Sequence, residues 1–303
     1  MEILGKAKDL KLNMKIVRKI LVDFIRKETT RFGLKKGVIG VSGGVDSAVS
    51  AYLSAEALGP ENVLGVIMPY KTSSPDSIED AKLVISNLGI KSEFVDITPM
   101  CDPYFEKFPD MDRVRQGNVM ARMRMIVLYD LSAREKALVI GTSNKTELLL
   151  GYGTLYGDMA SAINPLGDLY KTQVWQLAEE LGVPRKIIDK KPTADLWIGQ
   201  TDEDELGLSY RVVDKLLYFM VDERKTDDEL IELGFDKNMI ERVKLMVQRN
   251  QFKRRPPIIA KISYRTINID FREKKHFGEF EMRFRWCCNC NCFNIRVVYD
   301  LFN

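Results

Sequence analysis

The chain has 303 residues, 45% of them apolar, which is enough for one large domain or two modest ones. Its 46 basic and 43 acidic residues leave a net charge of +3, too small to bind nucleic acid through bulk electrostatics. No apolar run reaches the roughly 18 residues that a membrane-spanning helix needs, and MEILGKAKDLKLNMKIV lacks the unbroken apolar region of a signal peptide, so a soluble cytoplasmic protein is expected.

In chain order, DLKLNMKIVRKILVDFIRKETTRFG (9–33) carries apolar residues at helical spacing and predicts an amphipathic helix ending at Gly33. GVIGVS (37–42), NVLGVIMP (62–69), SEFVDIT (92–98) and ALVIGTS (137–143) are short and rich in β-branched residues, and predict strands. Helical stretches separate them: DSAVSAYLSAEALG (46–59), SPDSIEDAKLVISNLG (74–89) and GNVMARMRMIVLYDLSARE (117–135). Strand–helix alternation at this spacing gives parallel strands with crossover helices, an α/β fold with a doubly wound sheet. Runs as continuous as VLGVIM suit a sheet covered on both faces.

Beyond the fourth strand the pattern is mostly helical. KTQVWQLAEELG (171–182) stops at Gly-Val-Pro, and TDEDELGLSYRVVDKLLYFMVDE (201–223) begins with Thr201 and Asp204 in capping-box spacing. TDDELIELG (226–234) and KNMIERVKLMVQRNQFKRR (237–255) follow, up to Pro256-Pro257. There is no internal repeat and no long linker, so residues 1–271 are expected to form one domain and 272–303, rich in Arg, Phe and Cys, an appended tail.

Cys101 stands alone, while Cys287, Cys288, Cys290 and Cys292 crowd into WCCNCNC, so the first 286 residues hold no pair to cross-link, as in a reducing compartment. Two readings of the cluster stand side by side: a soft-metal site, or a divergent, poorly packed or misread tail. The spacing lacks the loop of a zinc knuckle, which disfavours the first. His276 is the only histidine, so the body holds no Ser-His-Asp triad and no histidine metal site. Its chemistry must run on carboxylates, lysines, hydroxyls and backbone amides.

The first strand leads into SGGVDS. Ligands of open parallel sheets bind beyond the carboxyl ends of the strands. Gly43 and Gly44 allow a tight turn that brings N–H groups close to an anion, and the helix beginning near Asp46 adds its positive end. Ser42 and Ser47 offer hydroxyls to phosphate oxygens. No P-loop lysine is present. Asp46 would repel bare phosphate but favour a divalent cation bridging one; the plainer reading is a helix cap. After the fourth strand, GTSNKTE places Thr142 and Glu147 at another carboxyl end, with Glu147 as a second candidate metal carboxylate. Lys171 stands at a helix start, where a cation is out of place unless an anion balances it; the plainer reading is a solvated helix face.

SGGVDS resembles the signature of the ATP pyrophosphatases, the PP-loop enzymes. Within them, QGNVMARMRM, GTSNKTE, YGD, INPLGDLYKTQVWQLAEELGVP, KPTADLWIGQTDEDELGLSY and FKRRPPI are similar, in order and spacing, to the ammonia-dependent NAD synthetase family, over roughly residues 12–271. The resemblance implies a Rossmann-like, adenine nucleotide α-hydrolase-like sheet. It implies that Gly40, Val41, Ser42, Gly43, Gly44, Val45, Asp46 and Ser47 cradle the ATP phosphates, with Thr142, Lys171 and Thr193 also on ATP. Asp46 and Glu147 would hold magnesium, Asp46 and Lys171 would serve catalysis, and Arg122 and Lys253 would bind deamido-NAD. The implied reaction is adenylation of the nicotinate carboxylate by ATP, then attack by ammonia to give NAD and AMP, in a homodimer with substrate sites near the subunit interface.

The match departs in the second-substrate half. Leu155 and Ala162 stand where many members have Lys and Asp, and Phe252-Lys253 replaces a His-Lys pair. This means either a variant binding mode or a different carboxylate substrate. Two other classes compete: a PP-loop enzyme of tRNA thiolation or sulfur transfer, favoured only by the cysteine cluster, and a non-catalytic ATP-binding homologue.

Overall fold

Four parallel strands form the centre of the protein: β1 (Lys36–Gly40), β2 (Val63–Ile67), β3 (Lys91–Phe94) and β4 (Ala137–Val139), in the order β3–β2–β1–β4. In register, Val38 faces Leu64 on one side and Val139 on the other. The structure, a computed structural model, describes residues 10–31, 33–193 and 207–262. The boundary at 271–272, the tail with its four cysteines, His276 and the Thr201–Asp204 pair lie outside these residues.

Alternation along the strands sends side chains to two cores, as a period of two requires. Ile39, Val63 and Ile67 join α1 (Met14–Arg31), α2 (Val45–Leu58), α3 (Pro75–Leu88) and α7 (Lys171–Leu181) on one face. Val38, Leu64 and Val66 join α4 (Thr98–Phe105) and α5 (Arg113–Glu135) on the other. The doubly wound α/β sheet expected from the sequence is therefore present, covered on both faces.

Three boundaries differ from the sequence pattern. The first helix begins at Met14, because Asn13 turns its side chain to accept from Ile16 N–H (3.3 Å) and so ends the extended lead-in. The strands are shorter than their apolar runs: Val41 and Val95 keep a bond to the neighbouring strand (2.9 Å each) but the ladder ends, and the carboxyl edge of the sheet opens into loops. The run 92–98 gives way to α4 at Thr98, whose N–H is taken by the Asp96 carboxylate (2.8 Å).

From β1 the chain builds outward through β2 to β3, then returns to place β4 on the opposite side of β1. The carboxyl ends of β1 and β4 therefore flank the point where the winding reverses, the usual binding crevice of such sheets. Short helix α6 (Lys145–Leu150) starts there. The helices Tyr210–Leu217, Asp227–Glu232 and Lys237–Arg249 build a further core around Tyr210, Val213, Leu217 and Ile240, which also takes in Leu150 of α6 and Tyr170 just before α7. Among the described residues, no helix is long and apolar enough to cross a membrane.

Candidate active site

The loop after β1 is shaped by two glycines with different tasks. Gly43 has φ +79°, and a Cβ there would stand 2.2 Å from the Ser77 carbonyl oxygen of α3, so the chain can turn this tightly only without a side chain. Gly44 is the N-cap of α2 and supplies no side-chain cap, leaving the first-turn N–H groups of α2 uncovered by any side chain. The loop hydroxyls brace the turn: Ser47 Oγ accepts from Ser42 N–H (3.1 Å) and donates to the Gly44 carbonyl (3.0 Å). Asp46 lies inside the first turn and does not cap it, so the plainer reading of that residue does not hold.

After β4, Asn144 begins α6 with a capping box. Its Oδ1 accepts from Glu147 N–H (3.0 Å), and Glu147 Oε2 accepts from Asn144 N–H (3.2 Å). The Asn144 amide then reaches across to donate to Asp46 Oδ1 (2.9 Å). One residue thus fixes both candidate metal carboxylates.

Between them lies Lys171, the first residue of α7, only 2% exposed. Its ammonium pairs with Asp46 Oδ2 and lies 3.4 Å from Glu147 Oε1, with the Tyr210 ring 5.3 Å from Nζ. A cation buried at a helix N-terminus is disfavoured twice, by desolvation and by the dipole. Here the balancing anions are the two carboxylates themselves, so the solvated-face reading of Lys171 fails. The three groups together carry one net negative charge. Their carboxylate oxygens converge at one point, and hard oxygen donors in ones and twos beside phosphate are the set magnesium takes; the residues fit that ion.

A cavity of about 510 Å³ opens over this cluster. Residues 40–42 and 44–47, Thr142, Glu147, Lys171, Thr193 and Lys253 all line it; Gly43 turns behind the wall against Ser77. Arg122 does not line it: it is exposed on α5 and donates from Nε to the Leu155 carbonyl (3.3 Å). Arg124, two residues on and so about 200° around the helix, does, and donates to the Met68 carbonyl (2.9 Å).

The far end of the cavity is built differently. Lys253 Nζ donates to the Gly151 and Gly153 carbonyls (2.7 and 2.8 Å), and desolvation pushes its pKa down against the pull of Asp158. Asp158 lines the cavity and is exposed there, and desolvation by the surrounding groups pushes its carboxyl pKa up against the pull of Lys253. Its Oδ1 accepts from Thr154 N–H (2.8 Å), and Thr154 Oγ1 bonds Asn118 Oδ1 (2.7 Å). Ala162 packs against the main core. Cys101 is buried on the other side of the sheet, and burial pushes its thiol pKa up, away from the thiolate that sulfur chemistry needs.

Several residues here were not singled out by sequence reasoning. Asn144 stands in capping-box spacing with Glu147, a readable signal. Asp214 shares helical spacing with Tyr210, Val213 and Leu217, and a carboxylate on an apolar stripe is another. Asp214 is fully buried and accepts from Thr146 Oγ1 (2.6 Å) and Thr172 N–H (2.8 Å). Desolvation pushes its pKa up to about 6, against the pull of these bonds and Lys171. Asp158 and Asn118 stand inside the motifs YGD and QGNVMARMRM, though no local spacing marks what they do.

The sequence profile of the family described as NAD synthase matches residues 17–257. The NH(3)-dependent NAD(+) synthetase of Trichlorobacter lovleyi is 58% identical over 270 residues, covering 89% of this chain and 99% of that protein. That of Chlorobaculum parvum is 54% identical over 276 residues, covering 91% and 100%. Among solved structures, NMN synthetase from Francisella tularensis superposes with a TM-score of 0.73 at 32% identity, covering 82% of this chain and 99% of the other. The NH3-dependent NAD synthetase from Campylobacter jejuni gives 0.71 at 34%, covering 83% and 100%.

Asp214 makes a pH prediction. With a folded pKa near 6 and an unfolded one near 3.9, the folded chain keeps a proton that the unfolded chain has lost between roughly pH 4 and 6. In that window this group makes stability fall as pH rises. Urea unfolding of wild type and Asp214→Asn across it should show the fall attenuated in the variant. Parallel curves would remove the assignment.

Proposed function

This chain belongs to the NAD synthase family, and we propose that it joins ammonia to the nicotinate carboxylate of deamido-NAD, consuming ATP and releasing AMP and pyrophosphate through an acyl-adenylate. The observation that carries the reading is the convergence of Asp46, Glu147 and Lys171 on one point beside an uncapped helix N-terminus at the sheet's switch point. The sulfur-transfer reading loses support, since Cys101 is buried with a raised pKa and the relatives described above are amidating synthetases by name. The non-catalytic reading gains nothing, because the charged cluster is complete.

In the proposed mechanism, the loop 40–47 receives the triphosphate, with the Gly44-capped end of α2 directing its N–H groups at phosphate oxygens. Thr142 and Thr193 contact the nucleotide from the walls. Asp46 and Glu147 would hold magnesium, which would supply Lewis-acid stabilisation of the phosphate charge. Lys171 adds a fixed ammonium where negative charge grows as pyrophosphate leaves the α-phosphorus. The carboxylate oxygen of deamido-NAD forms the new bond to that phosphorus. Ammonia then attacks the acyl carbon and AMP leaves with the former carboxylate oxygen.

Ammonium must lose a proton before its nitrogen can attack. We assign that proton to Asp158, a carboxylate that lines the cavity, with Lys253 alongside as the countercharge. Arg122 reaches deamido-NAD from outside the lining described above, which fits a substrate lying between two copies of the chain. The exposed Val114 and Ile126 on the same helix support such pairing. The balance of charge and the free Cys101 support a cytoplasmic setting. On composition, residues 272–303 are assigned to a tail outside the catalytic domain.

Purified protein with deamido-NAD, ATP, magnesium and ammonium should yield AMP and NAD in equal amounts, and Asp46→Asn should abolish turnover while remaining folded. Untouched ATP in the wild type, or full activity in the variant, sinks the assignment. Nicotinate mononucleotide offered in place of deamido-NAD should show a lower kcat/KM; the reverse preference would align this chain with the neighbour named NMN synthetase. Asp158→Asn should keep deamido-NAD-dependent ATP–pyrophosphate exchange while slowing amidation by on the order of 100-fold or more. Equal losses in both steps would reject its role. Light scattering should return the mass of two chains, and a monomer at assay concentration would reject the pairing.

A further inference from the structure

We propose that Asp214 is a positioning residue for adenylation: from outside the cavity it locks the first turns of α6 and α7 together, and thereby sets Lys171 between Asp46 and Glu147. The inference rests on the assignment of that cluster to ATP activation. It concerns a residue that touches neither nucleotide nor carboxylate substrate in that mechanism.

The geometry is specific. Asp214 Oδ1 accepts from the hydroxyl of Thr146 (2.6 Å), the residue before Glu147. Its Oδ2 accepts from the N–H of Thr172 (2.8 Å), the residue after Lys171. The Thr146 hydroxyl in turn accepts from the Lys171 N–H (3.0 Å), closing a ring of three bonds around the two helix starts. Each oxygen of one carboxylate thus holds the neighbour of one member of the charged cluster. One turn earlier on the same helix, Tyr210 lays its ring against the Lys171 ammonium at 5.3 Å. Just past the helix, Asp222 accepts from Lys145 Nζ (2.9 Å), the first residue of α6, and from the Tyr170 hydroxyl (2.5 Å), the residue before α7.

Why a carboxylate is needed follows from donor counting. Thr172 N–H can only donate, and the Thr146 hydroxyl, with an oxygen lone pair taken by Lys171 N–H, turns its proton outward. Two donors aimed at one side chain demand two acceptor oxygens, which aspartate has and asparagine lacks. A fully buried carboxylate is costly to desolvate, and packing alone would be served by leucine at this point of an apolar helix face. Its retention is explained by the positions it fixes. Lys171 is held at its ammonium end by two carboxylates and at its backbone end by this ring, so neither end can drift from where the phosphate charge develops.

The test compares wild type, Asp214→Asn, Thr146→Val and the double variant, following ATP–pyrophosphate exchange with deamido-NAD and then complete amidation. Asp214→Asn should lower kcat for exchange by on the order of 10- to 100-fold, as loss of a supporting residue typically does. KM for ammonium should stay within about two-fold, because ammonia enters after the step that Lys171 assists. Thr146→Val should match it, and the double variant should be no slower than the worse single one, since both cut the same ring. Thermal unfolding checks that each variant is folded. Should Asp214→Asn not fold, Thr146→Val tests the same link by removing one hydroxyl. Wild-type exchange in a folded single variant, additive losses, or a fall spread equally over kcat and both KM values would overturn the proposal. Absence of exchange in the wild-type chain would instead remove the adenylation reading, and this inference with it.

Discussion

Everything in the site depends on placing one ammonium, that of Lys171, in a buried position where the helix dipole repels it. Such a group is tolerated only if anions meet it, and Asp46 and Glu147 do so from two different strand ends. The arrangement is mutual. Without the lysine, two carboxylates would face each other across a narrow gap; without them, the lysine could not stay charged in place. The triad is therefore a pre-assembled electrostatic device, one whose net negative charge still leaves room for a divalent cation and a triphosphate. The P-loop solution, a lysine within the loop itself, is replaced by a division of labour. The loop offers N–H groups and a carboxylate, and the positive charge arrives from a helix 125 residues later.

Topology makes that division possible. Because β4 returns beside β1, the loops after these two strands open side by side, and residues nearly one hundred positions apart become hydrogen-bonded neighbours through Asn144 and Asp46 (2.9 Å). The helices after residue 207 add no wall of their own to the nucleotide end. They buttress it: their core packs against Leu150 and Tyr170, and their buried carboxylate ties the two helix starts. Behind the glycine loop a second ionic clamp does similar work. The buried Asp80 binds Lys186 and Lys190 (2.8 Å each), and Lys190 also donates to Ser77 (3.1 Å), the residue whose carbonyl the Gly43 turn approaches.

Much of this was legible in the sequence because it rests on local rules. Short β-branched runs named the strands, helical spacing and stop signals named the helices, and a glycine pair after a strand named the loop. A lysine at a helix start raised the question that its two carboxylate partners answer. What stayed hidden is what depends on three-dimensional neighbours. Arg122 and Arg124 are equivalent by type and differ only in which side of α5 they occupy, so the pattern could not say that the cavity takes Arg124. Helix α4 was invisible because its eight residues are too few to show a periodicity. Asp158 stands in the motif YGD, but its place on the cavity wall beside Lys253 is made by chain segments distant in sequence. Asp214 was the exception, visible as a charge on an apolar stripe but without a partner to explain it until Thr146 and Thr172 are placed beside it.

The two ends of the cavity also differ in how firmly they are specified. At the nucleotide end, each charged group is held by at least two others, as expected of a site whose ligand presents the same phosphates to every relative. At the far end the polar groups are fewer, and they bond mainly to backbone: Lys253 to two glycine carbonyls, Asp158 to the Thr154 N–H. Leu155 and Ala162 bring no charge there. In the proposed reading, recognition of the second substrate relies on shape and on Arg124 and Lys253, which line the cavity. A pocket with few fixed charges discriminates weakly between large and small versions of one head group, since each missing apolar contact changes the preference by only about 1–3 kcal/mol. The same framework can thus support synthetases named for NAD and for NMN while the adenylating machinery stays the same.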